Sequence, residues 1–341
     1  MSLTFFSELG GDALLRLTED ARVVAALQRA GAALAIAIVD LSDAHLRAML
    51  RLQDAGVRLT AWLVLEPSQG YWLNADNLPA ARRRYHAVRD WLRAGGLAIE
   101  AVGLDIEPPI EDATALLHRG SRALGALLRR RRSEASCESA RRGYAELVRE
   151  IRADGFAVET YQLPLLLDER ATGSSVLQRT LGLVDVAADR EVLMLYRSLL
   201  PAPLDDWLVA AYGPEAEAIA VGITGGGVPF VLETLGPRLL RGPHLVQELR
   251  RARRYTDRLY VFSLEGCVQQ GELEALCATA VEPAAPEPLA ELAGRLSRRA
   301  IGALLRLARV WGLDPAPAEQ AAPATASHPP QPQAAARTLS R

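Results

Sequence analysis

Short, nearly continuous apolar runs alternate along this chain with longer stretches of helical periodicity. The runs are Leu3–Glu8, Ala33–Asp40, Val57–Leu65, Ala101–Glu107, Phe156–Leu163, Val192–Tyr196, Ala218–Thr224 and Arg258–Leu264, the first being the weakest. They read as strands of a parallel sheet buried on both faces. Between them, Ala21–Ala30, Ala44–Ala55, Ala80–Ala94 and Leu245–Arg254 space apolar residues three and four apart, which predicts helices. Gly56 and the pair Gly95-Gly96 stand where helix C-terminal stops belong. The stretch from the 120s to Asp154 is the longest connection and reads as two helices broken near Ser133–Ser139. Repeated strand–helix alternation, with no G-x-G-x-x-G turn after the first strand, predicts an α/β fold of the (β/α)8 TIM-barrel type.

The barrel is expected over residues 1–281, and a chain of 341 residues accommodates it, since such barrels need roughly 250. Residues 282–313 then read as a proline-rich linker, EPAAPEP, and an amphipathic helix over Leu289–Leu313. Leu289, Leu292, Leu296, Leu304, Leu307 and Trp311 lie on one side of it, and arginines lie elsewhere around it. Packing across the barrel is the ordinary fate of such a stripe; docking on a membrane surface or a protein partner is the alternative. Residues 314–341 are rich in Ala, Pro and Gln and are expected to be a disordered tail.

Composition narrows the function. The net charge of −2 offers no basic excess for phosphates, so a nucleic-acid partner is not expected. Every basic residue is an arginine, so Schiff-base catalysis by a lysine side chain is excluded. Cys137, Cys267 and Cys277 form no CxxC pair, and His45, His86, His118, His244 and His328 show no ligand spacing. Neither a metal nor a cofactor is expected. The opening MSLTFFSELGGDALL lacks the form of a secretion signal, and no run of about 18 apolar residues exists, which makes the cytoplasm the expected compartment.

Polar residues at the C-terminal ends of barrel strands face the working site. Those positions here are Asp40, Glu66, Asp105, Glu107, Glu159, Tyr161, Gln162, Tyr196 and Glu265. Asp105 and Glu107 are two apart in AVGLDIEPP, so both point to one face of their strand and Ile106 points to the other. Two carboxylates so placed raise the pKa of at least one of them, which keeps an acid protonated for proton donation. Trp62, Tyr71 and Trp72 read as core packing or as a stacking platform for a sugar ring. Gly225-Gly226-Gly227 reads as a tight turn at positive φ, or as an anion-binding nest.

The segment AVGLDIEPP resembles the fourth strand of the chitinase-like glycoside hydrolase family 18 barrels, whose motif is D-x-x-D-x-D-x-E. The final D-x-E is matched by Asp105 and Glu107, and the two earlier aspartates are missing. VLMLYRS is similar to the family's M-x-Y-[DN], with Tyr196 as its tyrosine and Arg197 in place of the Asp or Asn. FSLEG stands where the family has a tryptophan on its eighth strand. The resemblance implies Glu107 as general acid, Asp105 as the group that tunes it, and Tyr196 as the residue that orients the substrate. Glu66, Glu159, Tyr161, Gln162, Glu265, Trp62, Trp72 and Asp40 are the expected substrate-binding residues. The expected function is cleavage of a glycosidic bond in a small-molecule or oligosaccharide ligand. The alternative is a catalytically inactive barrel that binds carbohydrate.

Overall fold

The computed structural model describes residues 1–199, 207–227 and 239–313; the expected tail, 314–341, lies outside them. Eight parallel strands close into a barrel in sequence order. They are β1 (Ser2–Ser7), β2 (Ala33–Ile38), β3 (Arg58–Leu63), β4 (Ala101–Ile106), β5 (Ala157–Gln162), β6 (Arg190–Met194), β7 (Ala218–Gly222) and β8 (Arg258–Phe262). β1 pairs with both β2 and β8, so the sheet has no free edge. The chain is thus an α/β protein of the TIM-barrel class, with helices between the strands.

Each strand stops slightly short of its apolar run. Asp40, Glu66, Glu107 and Tyr196 therefore sit just past the last paired residue, in the segments that line the barrel mouth. The two helices expected from the 120s to Asp154 are Ser121–Arg129 and Glu134–Ala153, and the long β4–β5 connection holds a third before them, Ile110–Arg119. The expected break is real and lies slightly earlier, where Ser133 caps the last helix by accepting from Ser136 N at 3.2 Å. The unforeseen helix starts directly after Pro108-Pro109, which end β4 and cannot extend it.

Alternation divides the strand residues between two cores. Leu34, Ile36, Leu63, Leu104, Ile106 and Val261 point outward and pack under the helices. Phe6, Ala35, Trp62, Tyr161, Met194 and Tyr260 point inward and fill the barrel. Below them Glu159 accepts hydrogen bonds from Arg190 Nη1 at 2.6 Å, Tyr260 Oη at 3.0 Å and Tyr161 Oη at 3.3 Å. This buried polar knot closes the N-terminal end of the barrel.

Gly103 makes room for it. A Cβ on this residue would lie 2.7 Å from Tyr161 Cζ, so only glycine lets the Tyr161 ring lie against β4. Gly103→Ala is expected to cost about 1–3 kcal/mol through overpacking. Gly125→Ala, on the half-exposed helix Ser121–Arg129 with nothing nearer than 3.8 Å, should instead be neutral or stabilising. Urea unfolding of both variants checks this; equal midpoints would contradict the packing assignment.

Candidate active site

A single bridging residue extends the end of β4. Leu73, from the β3–β4 connection, donates its N–H to Asp105 O at 2.9 Å and accepts from Glu107 N at 3.1 Å. This bridge carries the extended backbone one residue past β4. Asp105 and Glu107 consequently keep strand alternation and share the inward face. Asp105 is buried and Glu107 half-buried.

A third carboxylate joins them from β1. Thr4, Phe6 and Glu8 alternate inward, which brings Glu8 to the same mouth. The Tyr71 hydroxyl donates to Glu8 Oε1 at 2.5 Å. Glu8 N donates in turn to Glu265 Oε1 at 3.1 Å. Tyr71 adopts φ +61°, a left-handed conformation that few non-glycine residues take. The glycine triplet after β7 lies against the same group. A Cβ on Gly227 would come within 2.7 Å of Glu8 Oε2, and one on Gly226 within 2.6 Å of Glu265 Oε1. Close packing and positive φ together account for the triplet.

Glu8, Asp105, Glu107, Trp62, Trp72, Tyr161 and Tyr196 all line one cavity of about 360 Å³ at the C-terminal mouth. Burial pushes the Glu8 carboxyl up to about 8; the Tyr71 hydrogen bond opposes this, and the charges of Glu265 and Glu107 reinforce it. Burial raises Glu107 to about 7, against a hydrogen bond from Asp105. Asp105 is held well above the carboxylate range by burial, then by the charges of Glu107 and Glu8. The two carboxyls titrate as a pair, above the ordinary carboxylate range. Burial, then Asp105, Glu107 and Glu8, raise the Tyr196 phenol, so it stays protonated facing the acids.

Two buried polar atoms in this cavity lining, Asp105 Oδ1 and Trp62 Nε1, make no well-aligned hydrogen bond, yet Trp62 is close enough to lower the Asp105 carboxyl against its burial. The outer wall differs in character. It is built from aliphatic side chains, including Leu116, Leu117, Leu163, Leu165, Leu181 and Ile223.

Other expected site residues go elsewhere. Gln162 neighbours Tyr161 on β5, and alternation lets only one of them face inward; Gln162 points to the helices, its Nε2 3.4 Å from Val186 O. Glu159 faces inward but lies beneath Tyr161, tied to Arg190. Glu66 is exposed before the turn Pro67–Gln69. Asp40 accepts from Gly11 N at 2.8 Å and from Ser42 Oγ at 2.5 Å, and so fastens two loops. Burial pushes its carboxyl up, but those hydrogen bonds prevail and hold it below the usual range. Glu265 sits behind Glu8 and outside the cavity wall. Trp62 packs edge-on against Phe6 and Tyr161, with centroids at 5.5 and 6.0 Å, as part of the floor and not as an open platform. Among the described residues no group of His, Cys, Asp and Glu is arranged to hold a metal ion.

Glu8 is the site residue that sequence reading missed. Its signal was the inward alternation of Thr4, Phe6 and Glu8 in the first apolar run. A carboxyl whose pKa rises on folding costs nothing below its ordinary value of 4.5, where both states are protonated. The cost grows as pH climbs to about 8, because only the unfolded chain ionises freely. Glu8→Gln keeps an acceptor for Tyr71. It should match the parent's stability near pH 4.5 and exceed it at pH 9 by several kcal/mol, on the order of 5. Unfolding at both pH values checks this; a pH-independent difference would overturn the protonation assignment.

No family model matches the sequence, and no curated protein does. Solved structures are similar in fold. The PgaB (BpsB) glycoside hydrolase domain from Bordetella bronchiseptica aligns at 10% identity and TM-score 0.45, over 83% of this chain and 99% of that one. A GH18 chitinase from Pseudoalteromonas aurantia aligns at 11% identity and TM-score 0.40, over 81% and 98%. D-Psicose 3-epimerase from Clostridium cellulolyticum H10 aligns at 13% identity and TM-score 0.40, over 91% and 99%.

Proposed function

We propose that this chain is a glycoside-hydrolase-like enzyme that uses Glu107 as its proton donor. The observation that carries this reading is a carboxyl raised to about 7 in a cavity that also holds Asp105, Glu8 and Tyr196. An acid near neutrality gives the best compromise between being protonated and giving the proton away. Glu107 passes its proton to the glycosidic oxygen as the bond to the anomeric carbon breaks, and the bonding electrons leave with that oxygen. Positive charge then develops at the anomeric carbon, and the carboxyl oxygens of Asp105 and Glu8 present their partial negative charge to it. Water adds to that carbon and returns a proton to Glu107, which restores the acid. Tyr196 stays protonated and donates a hydrogen bond that orients the ring.

The aliphatic outer wall supports a particular substrate form: one sugar ring among the acids, with an apolar group on the leaving oxygen. A second reading, a barrel that binds sugar without cleaving it, draws on Arg197. This residue takes the place of the family's Asp or Asn and pairs with Glu248.

A panel of 4-methylumbelliferyl glycosides assayed across pH tests the proposal. The coumarin supplies the apolar leaving group. Hydrolysis should decline as pH rises through about 7, where Glu107 loses its proton. Glu107→Gln should lower kcat by roughly 10²–10⁴ and leave binding, followed by tryptophan fluorescence, nearly intact. Full activity in Glu107→Gln would sink the catalytic assignment. Saturable binding with no turnover of any member would favour the binding-only barrel.

A further inference from the structure

The helix Pro288–Val310 has two working faces, and the barrel uses one. On that face Gly294 lies against Ala211, where a Cβ would sit 2.9 Å from the neighbouring backbone. Leu305 and Ala308 pack on Val176. Arg298 Nε donates to Asp168 Oδ1 at 2.9 Å, and Arg309 Nη2 to Gly173 O at 2.7 Å. Glu291 pairs with Arg254 at 3.0 Å. These ties run almost the length of the helix, so its rotation about its own axis is fixed. The helix thus packs on the barrel, but through Gly294, Gly302, Leu305 and Ala308 and not through the stripe that was expected to do so.

The opposite face carries Leu289, Leu292, Leu296, Leu304, Leu307 and Trp311, all exposed; Leu289 is 84% and Trp311 69% accessible. At 100° per residue these positions fall in one stripe along a helix of 23 residues, about 34 Å long. A contiguous row of that length is not the scattered exposure of an ordinary surface. Arg295, Arg299 and Arg306 are exposed along a single flank of the stripe, and no ion pair engages them among the described residues.

We propose that this face seats the protein on an anionic phospholipid surface. Leucine and tryptophan enter the headgroup boundary, and the arginine flank meets lipid phosphates. The charge pattern selects this occupant over a second copy of the chain. Paired antiparallel, two such helices would bring arginine flank against arginine flank. Paired parallel, they would oppose arginine to Ala293 and Ser297. Neither arrangement offers an acid, because Glu291 is already engaged. The chain's own last residues, 314–341, contain one large apolar residue, Leu339, too few to cover the row. No helix among the described residues is long and apolar enough to cross a membrane, so the contact is one of lying on the surface.

The test is co-sedimentation of the full chain with vesicles of phosphatidylcholine alone or rich in phosphatidylglycerol, at low and high salt. Binding is expected only with phosphatidylglycerol and should weaken with salt. The exposed double variant Leu296→Asp/Leu304→Asp should abolish it with an unchanged unfolding midpoint. Arg295→Gln, Arg299→Gln and Arg306→Gln should each weaken it about fivefold. No vesicle binding by the parent chain would overturn the proposal. So would equal binding to both lipids, or self-association that the leucine variants abolish without any vesicle binding.

Discussion

Glu8, Asp105 and Glu107 face one small cavity, and three negative charges cannot be held there together. Most of the mouth is arranged around that constraint. Tyr71 turns into a left-handed backbone conformation to give Glu8 a donor. The glycine triplet brings bare backbone against the same carboxyl. Asp105 and Glu107 are both raised above the ordinary carboxylate range, and Tyr196 presents a phenol that does not ionise. The stability given up to burial is returned as an acid poised near neutral pH. None of these groups is exotic; their effect comes from being kept from water together.

The fold was readable from the chain because buried parallel strands leave unbroken apolar runs, and every one of these became a barrel strand. The centre of the site was readable for a related reason: a D-x-E at a strand end declares its own facing. The first run, being weak, drew attention to its apolar residues and away from Glu8 at its end. Alternation applied as strictly to β5 as to β4 would have separated Tyr161 from Gln162. Asp40 and Glu66 mark the limit of the strand-end rule. Once a strand has stopped pairing, a carboxylate answers to local capping, as Asp40 does with Gly11 and Ser42. Glu159 could not be placed by strand logic alone, since facing inward does not say at what depth. Its partner Arg190, at the start of β6, supplies the depth.

The same distinction between facing and depth governs the C-terminal helix. Its apolar positions were evident in sequence, but their number alone did not say that two separate faces were being served. Small residues, Gly294 and Gly302, mark the face that approaches the barrel, whereas the leucines mark the face that does not. Size, more than hydrophobicity, tells the two apart.

The polar knot under Tyr161 has a consequence for what the mouth can accept. With Glu159, Arg190 and Tyr260 filling the barrel below the aromatic floor, the cavity is a blind well with no passage through the core. A ligand that enters from the mouth stops at Trp62 and Tyr161, above the buried pair of Glu159 and Arg190.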